Sequence, residues 1–71
     1  METSYVFCKA TRRARVAAEL TQEQLADKLK VNRPTVCRLE SGRTGMSETM
    51  FLRVANALGI TALELLGYGY E

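Results

Sequence analysis

Thr21 and Thr61 each stand three residues ahead of a long polar side chain, Gln24 and Glu64. A Thr-x-x-Gln/Glu pair of this kind is a capping box, in which hydroxyl and side chain each satisfy an amide that the first helical turn leaves unbonded. Asn32 and Ser47 are two further N-cap residues. Pro34 follows Asn32 within the first turn, where a missing N–H costs nothing. Gly42, Gly59 and Gly67 stop the apolar runs, with Gly42 suited to a left-handed position after a helix. Chain punctuated this closely reads as short helices. Leu25, Ala26 and Leu29 give one apolar face after Thr21, and Val36 and Leu39 point inward together after Asn32. Met50, Phe51, Val54, Ala55 and Leu58 form a third face after Ser47. Ile60, Leu65 and Leu66 are the core candidates around "ALELL". Ahead of all these, residues 5–18 read as a first helix with Phe7, Ala14 and Ala18 inward, although Thr11 interrupts the stripe. The expectation is an all-α fold of five helices and no strand, a single domain spanning 1–71, without repeats, linkers or low-complexity tracts.

Composition narrows the classes. Among 71 residues 46% are apolar, too many for a disordered chain, with one proline and five glycines. The longest apolar run falls far short of the ~20 residues of a membrane span. The start, "METSYVFCKATRRARV", lacks the long apolar core of a secretory signal. A cytoplasmic protein is expected, of prokaryotic or phage type, and Met1 and the tail past the last cap read as a whole protein. Cys8 and Cys37 are then expected to be reduced thiols rather than a disulfide. With no histidine and no Cys-x-x-Cys spacing, no zinc site is expected. No nucleophile–base pair or phosphate loop points to an enzyme, and no cofactor, small-molecule ligand or membrane contact is implied.

Charge is uneven. Residues 1–53 hold all ten Lys and Arg against six acids, +4, whereas residues 54–71 hold two acids and no base, −2, which gives the net +2. A basic front and an acidic, apolar back suggest an anionic partner on one side and a different contact on the other.

The basic front concentrates in "NRPTVCRLE", residues 32–40, where Arg33 and Arg38 stand five apart and no acid occurs before Glu40. A solvated helix ordinarily mixes signs. Two short helices joined by "KVN", the second capped by Asn32, form a helix-turn-helix over about 21–41. Here "LTQEQLADKLKVNRPTVCRLESGR", followed by "FLRVANALGITALELLG", resembles the lambda-repressor-like family of DNA-binding domains, also known as the xenobiotic-response-element or Cro/CI family. The resemblance covers about Thr11 to Gly67, and its strength lies in the whole series at fitting spacings.

That resemblance implies that the second helix of the pair enters the major groove of double-stranded DNA, N-terminus foremost. It places base contacts at Arg33, Pro34 and Arg38, with Thr35 and Cys37 nearby. An arginine can reach guanine O6 and N7 with two hydrogen bonds; the alternative makes both arginines phosphate contacts or solvated surface. Pro34 departs from the polar residue common in the family and offers apolar contact only. Cys37 reads as an inert small residue or as a thiol switch. Gln22 is expected to bond a phosphate and brace the recognition helix, and Arg43 and Thr44 to meet the DNA backbone. Lys9, Arg12 and Arg13 are a backbone-contacting cluster or a solvated face. Arg15 matches the arginine that pairs with Glu40 beneath the recognition helix. Lys30 stands where the family usually has glycine, which suggests a slightly strained turn.

The back end, "ITALELLGYGYE", is unusually apolar. Leu63 occupies a usually polar position and is expected to face out, with Tyr68 and Tyr70 on a flexible tail past a final cap at Gly67. Similar repressors dimerise here, so Leu63, Leu66, Tyr68 and Tyr70 in the stretch 60–71 are the candidate homodimer contacts. The alternative folds Leu63 under the tail of one monomer. The leading expectation is a sequence-specific transcriptional regulator, a repressor acting on a palindromic operator. The competing one is an antitoxin-like interaction protein whose partner binds the apolar end.

Overall fold

The computed structural model describes residues 3–43 and 45–70, with side chains from residue 5 onward. Among these, five helices and no strand occur: α1 (Thr3–Ala17), α2 (Gln22–Leu29), α3 (Arg33–Ser41), α4 (Glu48–Leu58) and α5 (Ala62–Tyr68). The helix starts use the cap chemistry written in the sequence. Thr21 Oγ1 accepts from the Gln24 amide at 3.0 Å, and Gln24 Oε1 accepts from the Thr21 amide at 2.8 Å. Thr61 and Glu64 repeat both bonds at 3.0 and 2.8 Å. Asn32 and Ser47 accept from the amides of Thr35 and Met50.

Gly42 and Gly59 end α3 and α4 as expected, but the ends of α1, α2 and α5 depart from the glycine rule. After α1, α2 and α4, a left-handed residue turns the chain: Glu19 at φ 61°, Lys30 at φ 61° and Gly59 at φ 71°. The next residue then donates five positions back. Leu20 bonds the Arg15 carbonyl, Val31 that of Ala26 and Ile60 that of Ala55, at 3.1, 3.0 and 3.0 Å. This is one closing motif used three times, each with an apolar residue after the turn. Because the first of these turns begins directly after Ala17, Ala18 is exposed and not inward as its spacing suggested.

Packing explains the rest of the α1 stripe. Thr11 is fully buried, and its hydroxyl lies 3.7 Å from Met46 Sδ as a donor. Met46, from the loop before α4, is itself 5% exposed and plugs the core from outside the helices. The Phe7 and Phe51 rings stack at 4.0 Å and 17°, while Leu25, Val36, Val54 and Leu65 lose all contact with water. Each such burial contributes about 1.5–3 kcal/mol. α1 thereby lies against α3, α4 and α5, and α2 closes on α3 and α4.

The C-terminal segment is a second correction. α5 runs through Gly67 to Tyr68 and is capped at Gly69, so Gly67 is not the stop. Gly69 is buried against α1: a Cβ there would stand 2.7 Å from Val6 Cγ1 and 2.9 Å from the Val6 carbonyl oxygen. The glycine serves close approach, not flexibility. Tyr68 is half-buried against the core, whereas Tyr70 is exposed. No single helix among the described residues is long and apolar enough to cross a membrane.

Candidate nucleic-acid interface

α3 presents two contrasting sides. Val36 is buried and Leu39 packs on the core. Arg33, Pro34, Cys37, Arg38 and Ser41 are exposed. Their spacing of one, three, one and three residues puts them along one side of a helix, and none is acidic. Asn32 fixes the tip: its Oδ1 accepts from the Thr35 amide at 3.2 Å and from the Thr35 hydroxyl at 2.7 Å. Arg38 Nη2 donates to Thr35 Oγ1 at 3.3 Å. Thr35, half-buried, therefore joins the cap to Arg38, and its proton is committed to Asn32. At the other end Ser41 donates to the Arg38 carbonyl and accepts from the Arg43 amide. These bonds hold the loop after α3 close to the helix, over a left-handed Gly42 at φ 78°.

The acid of the segment is turned under the helix. Glu40 Oε2 accepts from Arg15 Nε at 2.7 Å, and Glu40 Oε1 accepts from Arg15 Nη2 at 3.2 Å and from Gln22 Nε2 at 3.1 Å. The two charged side chains are 13% and 4% exposed, Arg15 and Glu40 respectively. Arg15 Nη1 also donates to the Leu20 carbonyl at 2.8 Å, on the turn that ends α1. One guanidinium thus ties α1, the α1–α2 turn and α3, leaving the exposed side of α3 without negative charge. Gln22, expected at a phosphate, is engaged here through one amide bond. The bond leaves its second N–H, at the first position of α2, for another acceptor.

The remaining candidates fall in three places. Arg12 and Arg13 are exposed and Lys9 is half-buried; the three line a cleft between α1 and the end of α3. Arg43 shares a shallow groove with Cys37, Arg38 and Ser41. Thr44 lies outside the described residues. The apolar candidates are split: Leu63, 79% exposed, and Leu66 line a cleft with Phe7, Phe51 and Leu52, whereas Tyr68 lines a different one with Arg12, Arg13, Val16 and Ala17. Sequence reasoning missed Leu52, 56% exposed beside Leu63, because the two meet only when α5 folds back on α4. It also missed Arg53, whose Nη2 caps the Leu29 carbonyl at the end of α2 at 2.7 Å. No disulfide joins the cysteines: Cys8 is buried and Cys37 exposed. Burial pushes the Cys8 thiol above its ordinary value, partly offset by a hydrogen bond with the Gly42 backbone, so it stays protonated at neutral pH.

Five short helices that offer the second member of an α2–turn–α3 pair to solvent, free of acid, define a helix-turn-helix protein. The chain belongs to that family, in its xenobiotic-response-element, Cro/CI-like branch: residues 12–65 match the helix-turn-helix family model. Among solved structures it is similar in fold to the clp gene regulator ClgR from C. glutamicum, at 24% identity and a TM-score of 0.85 over 99% of this chain and 90% of that one. It is also similar to the hypothetical transcription factor NHTF from Neisseria, at 29% identity and a TM-score of 0.79 over 92% of this chain and 75% of that one. No curated protein matches it significantly in sequence.

Proposed function

We propose that this protein is a DNA-binding transcription regulator, a repressor that reads a palindromic operator as a homodimer. Family membership and the likeness to a transcription factor support DNA binding. The observation that carries the sequence-specific part is the exposed side of α3, with two arginines and no acid, above a Glu40 held by Arg15 and Gln22. Arg33 and Arg38 donate to base edges, guanine first. Pro34 and Cys37 give apolar contact beside them, and Thr35 positions Arg38. Gln22, Arg43, Lys9, Arg12 and Arg13 meet phosphates, which orient the protein without reading sequence. Selection of random duplexes in vitro tests this reading: it should enrich a two-fold symmetric motif with half-site centres about 34 Å apart, one turn of DNA. Enrichment of no motif at low salt would remove the proposal.

Dimerisation centres on Leu63 and Leu66, joined by Leu52, with Tyr70 outside. A second reading makes the chain an interaction protein of antitoxin-like kind. The exposure of Leu52 and Leu63 on either side of one apolar cleft favours it. Sedimentation separates the two: a wild-type chain that stays monomeric at high concentration gives that cleft to another protein.

A further inference from the structure

Tyr5, Cys8, Lys9 and Arg12 recur along one side of α1 at helical spacing, and that side faces the end of α3. Two ties hold it there. At one end the Tyr5 ring lies over Gly42, close enough that a Cβ on Gly42 would stand 3.6 Å from Tyr5 Cδ1. At the other, Arg15 grips Glu40 at 2.7 Å. Between the ties runs a cleft walled by the exposed Tyr5, Arg12 and Arg13 and the half-buried Lys9 on α1, with the exposed Ser41 and Gly42 opposite. Three cations line it. Its one carboxylate, Glu40, is 4% exposed and already neutralised by Arg15. Ser41 also lines the groove of Cys37, Arg38 and Arg43, so the cleft opens beside the side of α3 proposed to read bases. The Ser41 proton is spent on the Arg38 carbonyl, which leaves donation to α1.

We infer that this cleft seats one backbone phosphate of the bound duplex, held by Lys9, Arg12 and the Tyr5 hydroxyl. The inference rests on the DNA-binding reading and adds to it a defined anion site with an aromatic hydroxyl that the basic cluster alone does not supply. A phosphate fixed at the C-terminal end of α3 sets how the helix lies in the groove and carries no base preference of its own.

The Lys9→Gln/Arg12→Gln double variant tests it, with binding measured over a salt series on the selected duplex and on a random one, and thermal melts as the folding control. The slope of log affinity against log salt should fall by about one unit, the release expected for one lost phosphate contact. The loss should be equal on both duplexes. Tyr5→Phe keeps the ring over Gly42 and should weaken both complexes a few-fold at unchanged slope. An unchanged slope in the double variant overturns the phosphate seat, as does a loss confined to the selected duplex. Inorganic phosphate and a nucleoside monophosphate, titrated into the wild type and followed by NMR at residues 9 and 12, should give weak, unsaturated shifts. Saturation by either would make the cleft a site for a free effector and overturn its assignment to DNA. A wild type that binds no duplex removes the DNA reading and this inference together.

Discussion

Glu40 stands on the helix proposed to enter DNA, and the fold deals with its charge by enclosing it. Its carboxylate takes three hydrogen bonds from Arg15 and Gln22 and is 4% exposed. Removing one member of a buried ion pair costs more than the pair contributes, because the other is left desolvated and uncompensated. Arg15→Ala leaves the carboxylate with Gln22 alone and should cost ~3–5 kcal/mol. Glu40→Ala should cost less, since Arg15 keeps the Leu20 carbonyl and is the more exposed partner at 13%. Thermal or denaturant melts of both single variants and the double variant check this. The double variant should be clearly less destabilised than the sum, and simple additivity would mean that the two side chains act independently. The pair was legible through the family resemblance. The Gln22 and Leu20 bonds were not, because each depends on how the α1–α2 turn folds back, and that turn is set by a left-handed Glu19 that nothing in the local sequence marks.

Helix starts were more legible than helix ends. A cap is a local event among four residues, so Thr21, Asn32, Ser47 and Thr61 announced α2 to α5 correctly. An end is decided by where the next element packs, and tertiary contact overrode the glycine rule at Glu19, Lys30 and Gly67. Lys30 at φ 61° and ψ 42° pays the left-handed cost that glycine avoids. Lys30→Gly should therefore raise stability by up to ~1 kcal/mol, less the entropy that glycine adds to the unfolded chain; a melt showing a clear loss would contradict the left-handed turn. The two tail glycines should respond in opposite directions to alanine. Gly67 lies in α5 with nothing near a built Cβ, so Gly67→Ala should stabilise by ~0.5–1 kcal/mol. Gly69→Ala drives a methyl to within 2.7 Å of Val6, and overpacking of this kind costs ~1–3 kcal/mol. If both substitutions shift the melt alike, α5 does not close on α1 as described. The sequence "GYGY" could not separate them, since the distinguishing neighbour, Val6, lies 63 residues before Gly69.

At the scale of the molecule, charge and apolar surface are sorted onto different faces. Seven of the ten basic residues lie on α1, α3 and the loop after α3, and the exposed Leu52 and Leu63 lie where α4 meets α5. The charge asymmetry between residues 1–53 and 54–71 foreshadowed that sorting. Tyr68 lines a cleft against α1, apart from the cleft that Leu63 and Leu66 line. A domain this size spans about half a turn of DNA through one α3, which is why the proposed reading pairs two copies on a two-fold axis. Leu63→Asp should leave the melt nearly unchanged, given the residue's 79% exposure, yet weaken binding to a full site far more than to a half-site. Equal weakening of both would detach the apolar face from DNA-linked assembly. The central claim is that the acid-free side of α3 reads bases. Its most direct test is the affinity of Arg33→Ala and Arg38→Ala for the selected duplex against a random duplex of equal length and salt. Each substitution should cost ~1–3 kcal/mol on the selected duplex, relax the preference at one or two base pairs, and leave random-duplex binding less affected. Equal losses on the two duplexes would reduce both arginines to phosphate contacts and contradict the account.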